Sequence, residues 1–302
     1  MNGTIDYPHL FMRALDLQLI QKSTSGWMQD NASQIKFTGG RYIKIPKVFM
    51  AGLGNYNRDE GLYPHGFVTT EYQSEELKMD RGIQFYFDRN DVDESGYLVE
   101  AGTIMSQFQA QHVIPEIDAY RYSKIYNMAK TYGKTRTLNP TKEDILSNLL
   151  KDLRSVQDKT GYDFKDMVIS MPYTIFEMLE LSGELNRSIN VSSFSQGGLS
   201  MEINTLNGAP IIPVPSQRMK TKYDFAEGEG DFGFYPAADA KNINWIILEK
   251  SVPMAVAKTD SLKIFSPNVN QDGDGWKTQY RVYHDLFVPE AKKDGVFVNI
   301  QA

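Results

Sequence analysis

The stretch Arg41-Tyr42-Ile43-Lys44-Ile45-Pro46-Lys47-Val48-Phe49-Met50 decides how the chain is read. Ile43, Ile45, Val48 and Met50 alternate with polar or non-core positions, the period of a strand that lays one face on a core. Pro46 has no N–H to give to a ladder, so this strand belongs at a sheet edge. A turn-rich run follows, Gly52-Leu53-Gly54-Asn55-Tyr56-Asn57-Arg58-Asp59-Glu60-Gly61. Two more strand-like runs come after it, Gly66-Phe67-Val68-Thr69-Thr70-Glu71-Tyr72-Gln73 and Gly82-Ile83-Gln84-Phe85-Tyr86-Phe87-Asp88. Together they predict a long hairpin over 41–88 with a polar, glycine-rich tip. An arm of about ten residues at roughly 3.3 Å each spans some 30 Å. A two-stranded hairpin is not stable alone in water, so one of this size needs a surface to lie on, and a neighbouring subunit can supply it.

On the N-terminal side, residues 1–40 are weakly patterned. A short helix is expected within Leu10–Ile20, and Ser23–Gly26 and Asn31–Gly40 are polar and glycine-containing, so the segment reads as an extended arm with little core of its own. On the C-terminal side, Ile104, Phe108, Ile117, Tyr120, Ile125 and Met128 recur at helical spacing over 98–130, with Pro115 expected to kink or interrupt the helix. A second helix runs from about Thr141, its N-cap, to Lys159. Asp144 stands near a capping-box position, and Gly161 stops the helix. Met167–Met171 reads as a short buried strand, and Pro172 opens a helix through Leu181. Residues 188–200, rich in Ser and Gly, read as a loop. Met201–Leu206, Asn207-Gly208 and Ala209–Val214 read as strand, tight turn, strand. Ile243–Leu248, Gln279–Val288 and Gly295–Ile300 are further strands. The fold class is α+β.

The bulk numbers exclude more than they propose. The 302 residues suffice for one large core or two smaller ones, no run approaches a membrane span of about 18 apolar residues, and no secretory signal is apparent. With no cysteine, disulfides, thiolate nucleophiles and cysteine metal sites are out. The net charge of −6 comes with no Lys/Arg-rich block, so sequence-specific nucleic-acid binding is not expected.

No motif carries chemistry. Gly228-Glu229-Gly230-Asp231-Phe232-Gly233 matches GxGxxG, but Glu227, Glu229 and Asp231 would repel a pyrophosphate and Pro236 stands where the helix should run. Asp91-Val92-Asp93-Glu94-Ser95-Gly96 matches the first half of a calcium loop, yet Gly102 holds the place of the bidentate Glu. Asp272-Gly273-Asp274-Gly275 reads as a solvated turn. Of His9, His65, His112 and His284, no two sit at i, i+4, and there is no GxSxG elbow. No catalytic residue, cofactor or metal is therefore expected, and the chain is read as a non-enzyme.

The element order, with Asp80-Arg81-Gly82, the aromatic strand to Asp88, Asp91-Val92-Asp93-Glu94, Val113-Ile114-Pro115-Glu116-Ile117-Asp118-Ala119-Tyr120-Arg121, Leu206–Pro215 followed by Arg218-Met219, and Arg281–Val288, resembles the major capsid proteins of tailed bacteriophages with the Hong Kong 97 fold. The resemblance spans nearly the whole chain. It implies an N-terminal arm over 1–40, an extended loop over 41–88 that overlaps an adjacent subunit, a peripheral domain from 89–160 and 263–302 with a long spine helix, and an axial domain over 161–262. It implies self-assembly as hexamers and pentamers into an icosahedral shell enclosing double-stranded DNA. The shell would be synthesised and assembled in the host cytoplasm and located in the virion capsid. A separate scaffolding protein, a portal and decoration proteins are the partners it implies, and the near-immediate start of the arm favours the separate scaffold. Inter-subunit contact is expected from Tyr56, Arg58, Asp59, Glu60 and Tyr63 at the loop tip and Arg81 at its base. An encapsulin-type compartment shares the fold and is the nearest rival. A soluble α+β enzyme with a dispersed site and a carbohydrate- or host-binding module come after it.

Some members of that family join subunits through a loop lysine and a neighbour's asparagine. Here Gly52–Gly66 contains no lysine, and Lys44, Lys47 and Lys78 lie nearer the loop base. Assembled particles boiled in denaturant should therefore run as a single monomer band; a ladder of covalent multimers would contradict this.

Overall fold

A computed structural model describes the chain except for residues 1–14, 16, 20, 35, 38–41, 57, 59–62, 89–96, 183–188, 197–198 and 226–231. Its strands are β1 (Lys36–Phe37), β2 (Tyr42–Met50), β3 (Val68–Glu76), β4 (Met79–Asp88), β5 (Thr135–Thr137), β6 (Met167–Pro172), β7 (Ile189–Gln196), β8 (Leu199–Leu206), β9 (Ala209–Val214), β10 (Tyr223–Phe225), β11 (Phe234–Pro236), β12 (Ile243–Glu249), β13 (Met254–Phe265), β14 (Gly275–Phe287) and β15 (Val296–Ile300). Among the described residues the helices include α1 (Tyr97–Phe108), α2 (Ile114–Thr131), α3 (Ile145–Thr160) and α4 (Tyr173–Glu180), and residues 15, 17–19 and 21–22 are helical as well.

The run Met167–Met171 forms strand β6 because both faces of its sheet are covered. Val168 points into a core with Tyr122, Ile125 and Ala129 of α2, while Met167, Ile169 and Met171 point into a core with Leu149 and Leu153 of α3. Trp245 and Ile247 of β12 face α3, and Ile246 and Leu248 face the other way. The result is a seven-stranded mixed sheet ordered β5-β15-β12-β6-β9-β8-β7 between two helical layers. The β8–β9 connection is the tight turn expected: Asn207 and Gly208 have φ of +52° and +91°, and two positive values in a two-residue hairpin need residues of this kind. Gly161 caps α3 at φ +73°.

A second sheet, β13-β14-β4, packs on α1 and the start of α2 through Ile114, Ile117, Leu262, Tyr280 and Val282. The third, β1-β2-β3, carries the hairpin. Between α1 and α2 the helix does not stop. A π-helical turn, Gln109–Val113, widens it just ahead of Pro115, which lies in the first turn of α2, where its missing N–H costs least.

Several expectations need correction. The run over 82–88 is not part of the hairpin: β4 pairs antiparallel with β14 from Met79↔His284 to Asp88↔Gly275, a partner nearly 200 residues away. A Cβ at Gly275 would collide with the carbonyl oxygen of Phe87, so the close approach requires glycine. Residues 189–196 are a strand and not a loop, paired with β8 along their whole length; tertiary pairing overrides the weak strand preference of serine. The described part of the first 40 residues is no coreless arm. Leu15 and Leu19 enter the core of the second sheet, and Trp27 and Met28, both fully buried, enter the core under α2. Asp144, and not Thr141, stands at the N-cap position of α3, without a side-chain bond into the helix; its Oδ1 accepts the Thr141 N–H at 2.7 Å. The boundaries drawn at 160/161 and 262/263 are also crossed. Helix α3 and strand β15 pack with the sheet of the 161–262 segment, and β13 runs unbroken from Met254 to Phe265.

One buried carboxylate ties these parts together. Asp118 of α2 is fully buried. It accepts hydrogen bonds from Ser23 Oγ (2.5 Å), Thr24 N (3.1 Å), Thr24 Oγ1 (2.9 Å), Ser25 N (3.1 Å), Ser25 Oγ (2.6 Å) and Arg218 Nη1 (3.0 Å). One turn on, Arg121 Nη1 donates to Ser25 O and Oγ. Removing one member of a buried charge group strands the others, which costs about 3–5 kcal/mol. Asp118→Ala should lower the unfolding free energy by that amount in urea titration; a loss of less than about 1 kcal/mol would show that the hub is dispensable.

Candidate inter-subunit surface

The hairpin grows from a small apolar root. Ile43 and Ile45 are buried against Leu77, Met254, Val256 and Phe287. Beyond this root, β2 and β3 stay in unbroken antiparallel register from Tyr42↔Glu76 to Met50↔Val68. β1 covers the outer edge of β2 only as far as Ile43 and Lys44, so Pro46 stands where no ladder on that side asks for its N–H, as the edge reading required. Every side chain described between Met50 and Tyr72 is exposed, among them Leu53, Tyr63, Phe67 and Val68. Ordering backbone costs roughly 1–2 kcal/mol per residue, and this ribbon finds no burial in its own chain to offset that cost.

The tip is nonetheless built. Ala51 N–H donates to Phe67 O at 2.9 Å. The rings of Tyr56 and Tyr63 meet at 4.9 Å between centroids, tilted by 54°. A Cβ at Gly54 would come within 2.9 Å of Pro64 Cβ, so glycine lets the two sides close. Of the expected contact residues, Tyr56 and Tyr63 are thus brought together. Arg58 lies exposed in a turn, and Asp59 and Glu60 fall outside the described residues. Arg81 is elsewhere and turned inward. From β4 its Nε donates to Glu116 Oε1 at 2.7 Å and its Nη2 to Gly233 O at 3.1 Å. Those partners lie 35 and 152 residues away, beyond the reach of any local pattern.

Below Arg81 opens a cavity of about 510 Å³ between β4, β14 and the π turn leading into α2. Phe108, Ile117, Tyr280 and Val282 contribute apolar walls, and Asp80, Arg81, His112 and Glu116 contribute polar ones. His284 lines it from within, fully buried, with no hydrogen-bond partner at Nδ1 or Nε2. Its ring stands edge-on to Tyr120 at 5.2 Å. Burial, and then the positive charges of Arg121 and Arg81, push its pKa down to about 3. It is therefore a neutral imidazole at pH 7, able to donate from one nitrogen and accept at the other. The signal for it lay in the alternation Tyr280, Val282, His284, Leu286, which points the histidine inward with three apolar residues.

Among the described residues no three His, Asp or Glu side chains are placed to hold a metal, and no helix is long and apolar enough to cross a membrane. The end of the GxGxxG match, Phe232-Gly233, leads into β11 and not into a helix; the rest of that match and the Asp91–Gly96 run lie outside the described residues. Asp272 pairs with Lys277 in an exposed turn.

No family model matches the chain, and no curated protein sequence does. Solved structures with a similar fold include the capsid of cyanophage P-SCSP1u, at 12% identity and TM-score 0.56, over 88% of this chain and 85% of the other. The mature capsid of bacteriophage PhiM1 matches at 11% identity and TM-score 0.51, over 87% and 82%. A virus-like particle from Pyrococcus furiosus matches at 12% identity and TM-score 0.50, over 98% and 100%. The chain has a mixed helix-and-strand fold like that of phage capsid proteins.

The buried imidazole makes stability depend on pH. It titrates near 6.5 when unfolded and near 3 when folded, so the unfolded chain binds the proton more readily across that interval. The folded state keeps its full stability above pH 6.5 and loses it progressively as pH falls toward 3. The melting temperature of the wild type should fall relative to that of His284→Phe between pH 6.5 and about 4; parallel curves would contradict this.

Proposed function

We propose that this chain is the major capsid protein of a tailed bacteriophage, assembling as hexamers and pentamers into an icosahedral shell around double-stranded DNA. The observation that carries the reading is the ribbon beyond Ile45, exposed along its described length in a chain whose fold resembles phage capsid structures. A segment that cannot cover itself is consistent with a protein that is complete only beside its copies. The hairpin over 42–76 acts as the extended loop that overlaps a neighbour. The seven-stranded sheet with α3 and α4 serves as the axial unit around the symmetry axes. Helices α1 and α2 with β4, β13 and β14 serve as the peripheral unit.

Closure comes from many modest interfaces repeated by symmetry, without catalysis or cofactor. A net charge of −6 suits a wall that encloses nucleic acid without gripping it. A separate scaffolding protein, a portal and decoration proteins complete the assembly, which forms in the host cytoplasm and persists as the virion capsid. The full-length match to a virus-like particle from Pyrococcus furiosus supports a second reading, an encapsulin-type compartment. Particle contents separate the two: nuclease-protected double-stranded DNA favours the phage shell, packaged enzyme favours the compartment.

Replacing residues 47–71 by a short turn removes no described member of a core cluster. The shortened chain should stay folded by circular dichroism but sediment as unassembled subunits, while the full chain forms particles visible in negative stain. Normal particles from the shortened chain, or a full chain that stays monomeric under all conditions, would overturn the reading.

A further inference from the structure

We propose that the open pocket at the carboxyl end of the seven-stranded sheet binds a neutral pyranose sugar. The site is independent of the shell reading, and its failure would leave that reading untouched.

The topology places the pocket. β5 runs parallel to β15 and β6 parallel to β9, while β12 is antiparallel to both β15 and β6. The carboxyl ends of β5, β6, β9 and β15 therefore lie at one end of the sheet, where β12 begins. In open sheets flanked by helices, the crevice outside the carboxyl ends of the strands is the usual place for a small molecule. A pocket of about 360 Å³ lies there, between the start of α4, the turn after β9, the start of β12 and Gln301. Small-molecule sites span roughly 300–1,000 Å³, so this one suits a guest of about one ring.

The lining selects against charge. No ionised side chain contributes to it, so a carboxylate, phosphate, amine or metal ion would lose hydration there without gaining a counter-charge. Lys220, which is not part of the lining, donates to Asn242 Oδ1 at 2.7 Å. The polar groups of the pocket are the carboxamides of Asn139, Asn242, Asn244 and Gln301 and the hydroxyls of Thr174 and Ser216.

Each carboxamide is held at one end by the protein. Asn139 Oδ1 accepts the Ala302 N–H at 3.0 Å, and Asn242 Nδ2 donates to Gln301 Oε1 at 2.6 Å. Asn244 Nδ2 donates to Leu138 O at 2.7 Å and to Asn299 Oδ1 at 2.9 Å. The amino groups of Asn139 and Gln301 have no partner among the described residues and stay open to a guest. Thr174 Oγ1 and Ser216 Oγ face each other at 3.5 Å, the outer limit of a hydrogen bond, so both hydroxyls keep their capacity to donate and accept. Beside these groups, Ile175 and Met178 of α4 and Ile243 of β12 form an apolar wall. A pyranose presents the matching pair of surfaces, a C–H face for the wall and a rim of hydroxyls that both donate and accept. With the amides already fixed, little ordering remains to be done on binding.

Saturation-transfer difference NMR tests the site on the full chain, as free subunits or as particles, because the signal is read on the sugar. The probes are the methyl glycosides of glucose, galactose and mannose, and N-acetylglucosamine. At least one of them should show saturable transfer in about the millimolar range, strongest on the C–H protons of one ring face. Thr174→Val should weaken that binding about fivefold, the value of one hydrogen bond. Ser216→Trp, which fills the pocket, should abolish it. Thr174 is exposed and Ser216 partly so, and circular dichroism should be unchanged in both.

Transfer to none of the probes, or transfer that survives both substitutions unchanged, would overturn the site. So would a reconstruction of assembled particles in which a protein segment fills the pocket. Should Ser216→Trp not fold, Thr174→Val decides alone. Particle formation is read separately in negative stain, and no outcome here bears on it.

Discussion

A carboxylate without solvent survives only where donors surround it, and Asp118 sets that condition for much of this chain. Ser23, Thr24 and Ser25 come from the N-terminal segment, Arg218 from the turn after β9, and the carboxylate itself from α2. Satisfying one group ties α2 to two parts of the chain that lie 93 to 100 residues from Asp118 on either side. α2 is then shared between two cores: Ile114 and Ile117 face the β13-β14-β4 sheet, and Tyr122, Ile125 and Ala129 face the seven-stranded sheet. Two further buried carboxylates repeat the device. Asp285 accepts from Tyr120 Oη and the Lys78 N–H, and Asp152 accepts from Arg136, Trp245 and Asn299. Burying such hubs contributes little net stability, but each is intolerant of rearrangement.

Against that rigid body the hairpin stands apart. Lys78 N–H bonded to Asp285 anchors the chain where it leaves β3 for β4, and Ile43 and Ile45 anchor the other strand. Past those anchors, backbone pairing continues while burial ends. The two features belong together: a fixed root sets the direction of the arm, and an uncovered arm has value only where something covers it.

Much of the fold was legible in local pattern. The apolar run at 167–171, the Trp245 strand, the glycine stop at 161 and the Asn207-Gly208 turn each carry their own physical reason and stand where expected. What stayed hidden depends on distant partners. The strand at 79–88 looked like a third hairpin strand because its pattern says strand and cannot say with whom it pairs. Serine-rich 189–196 carries too weak a preference of its own and is a strand through β8. Trp27 and Met28 sit in a polar stretch that looked unfit for a core, and their neighbours reach burial through Asp118 and Arg121. At the candidate surface, Tyr56 and Tyr63 were legible as a tip, whereas the inward turn of Arg81 was not.

The central claim is that the ribbon beyond Ile45 is covered by another copy of the same chain. An electron cryomicroscopy reconstruction of purified particles, at a resolution that separates strands, tests it most directly. The account predicts density for both hairpin strands crossing from one subunit onto the next. Hairpin density folded back on its own subunit, or standing free in solvent within a closed particle, would contradict it.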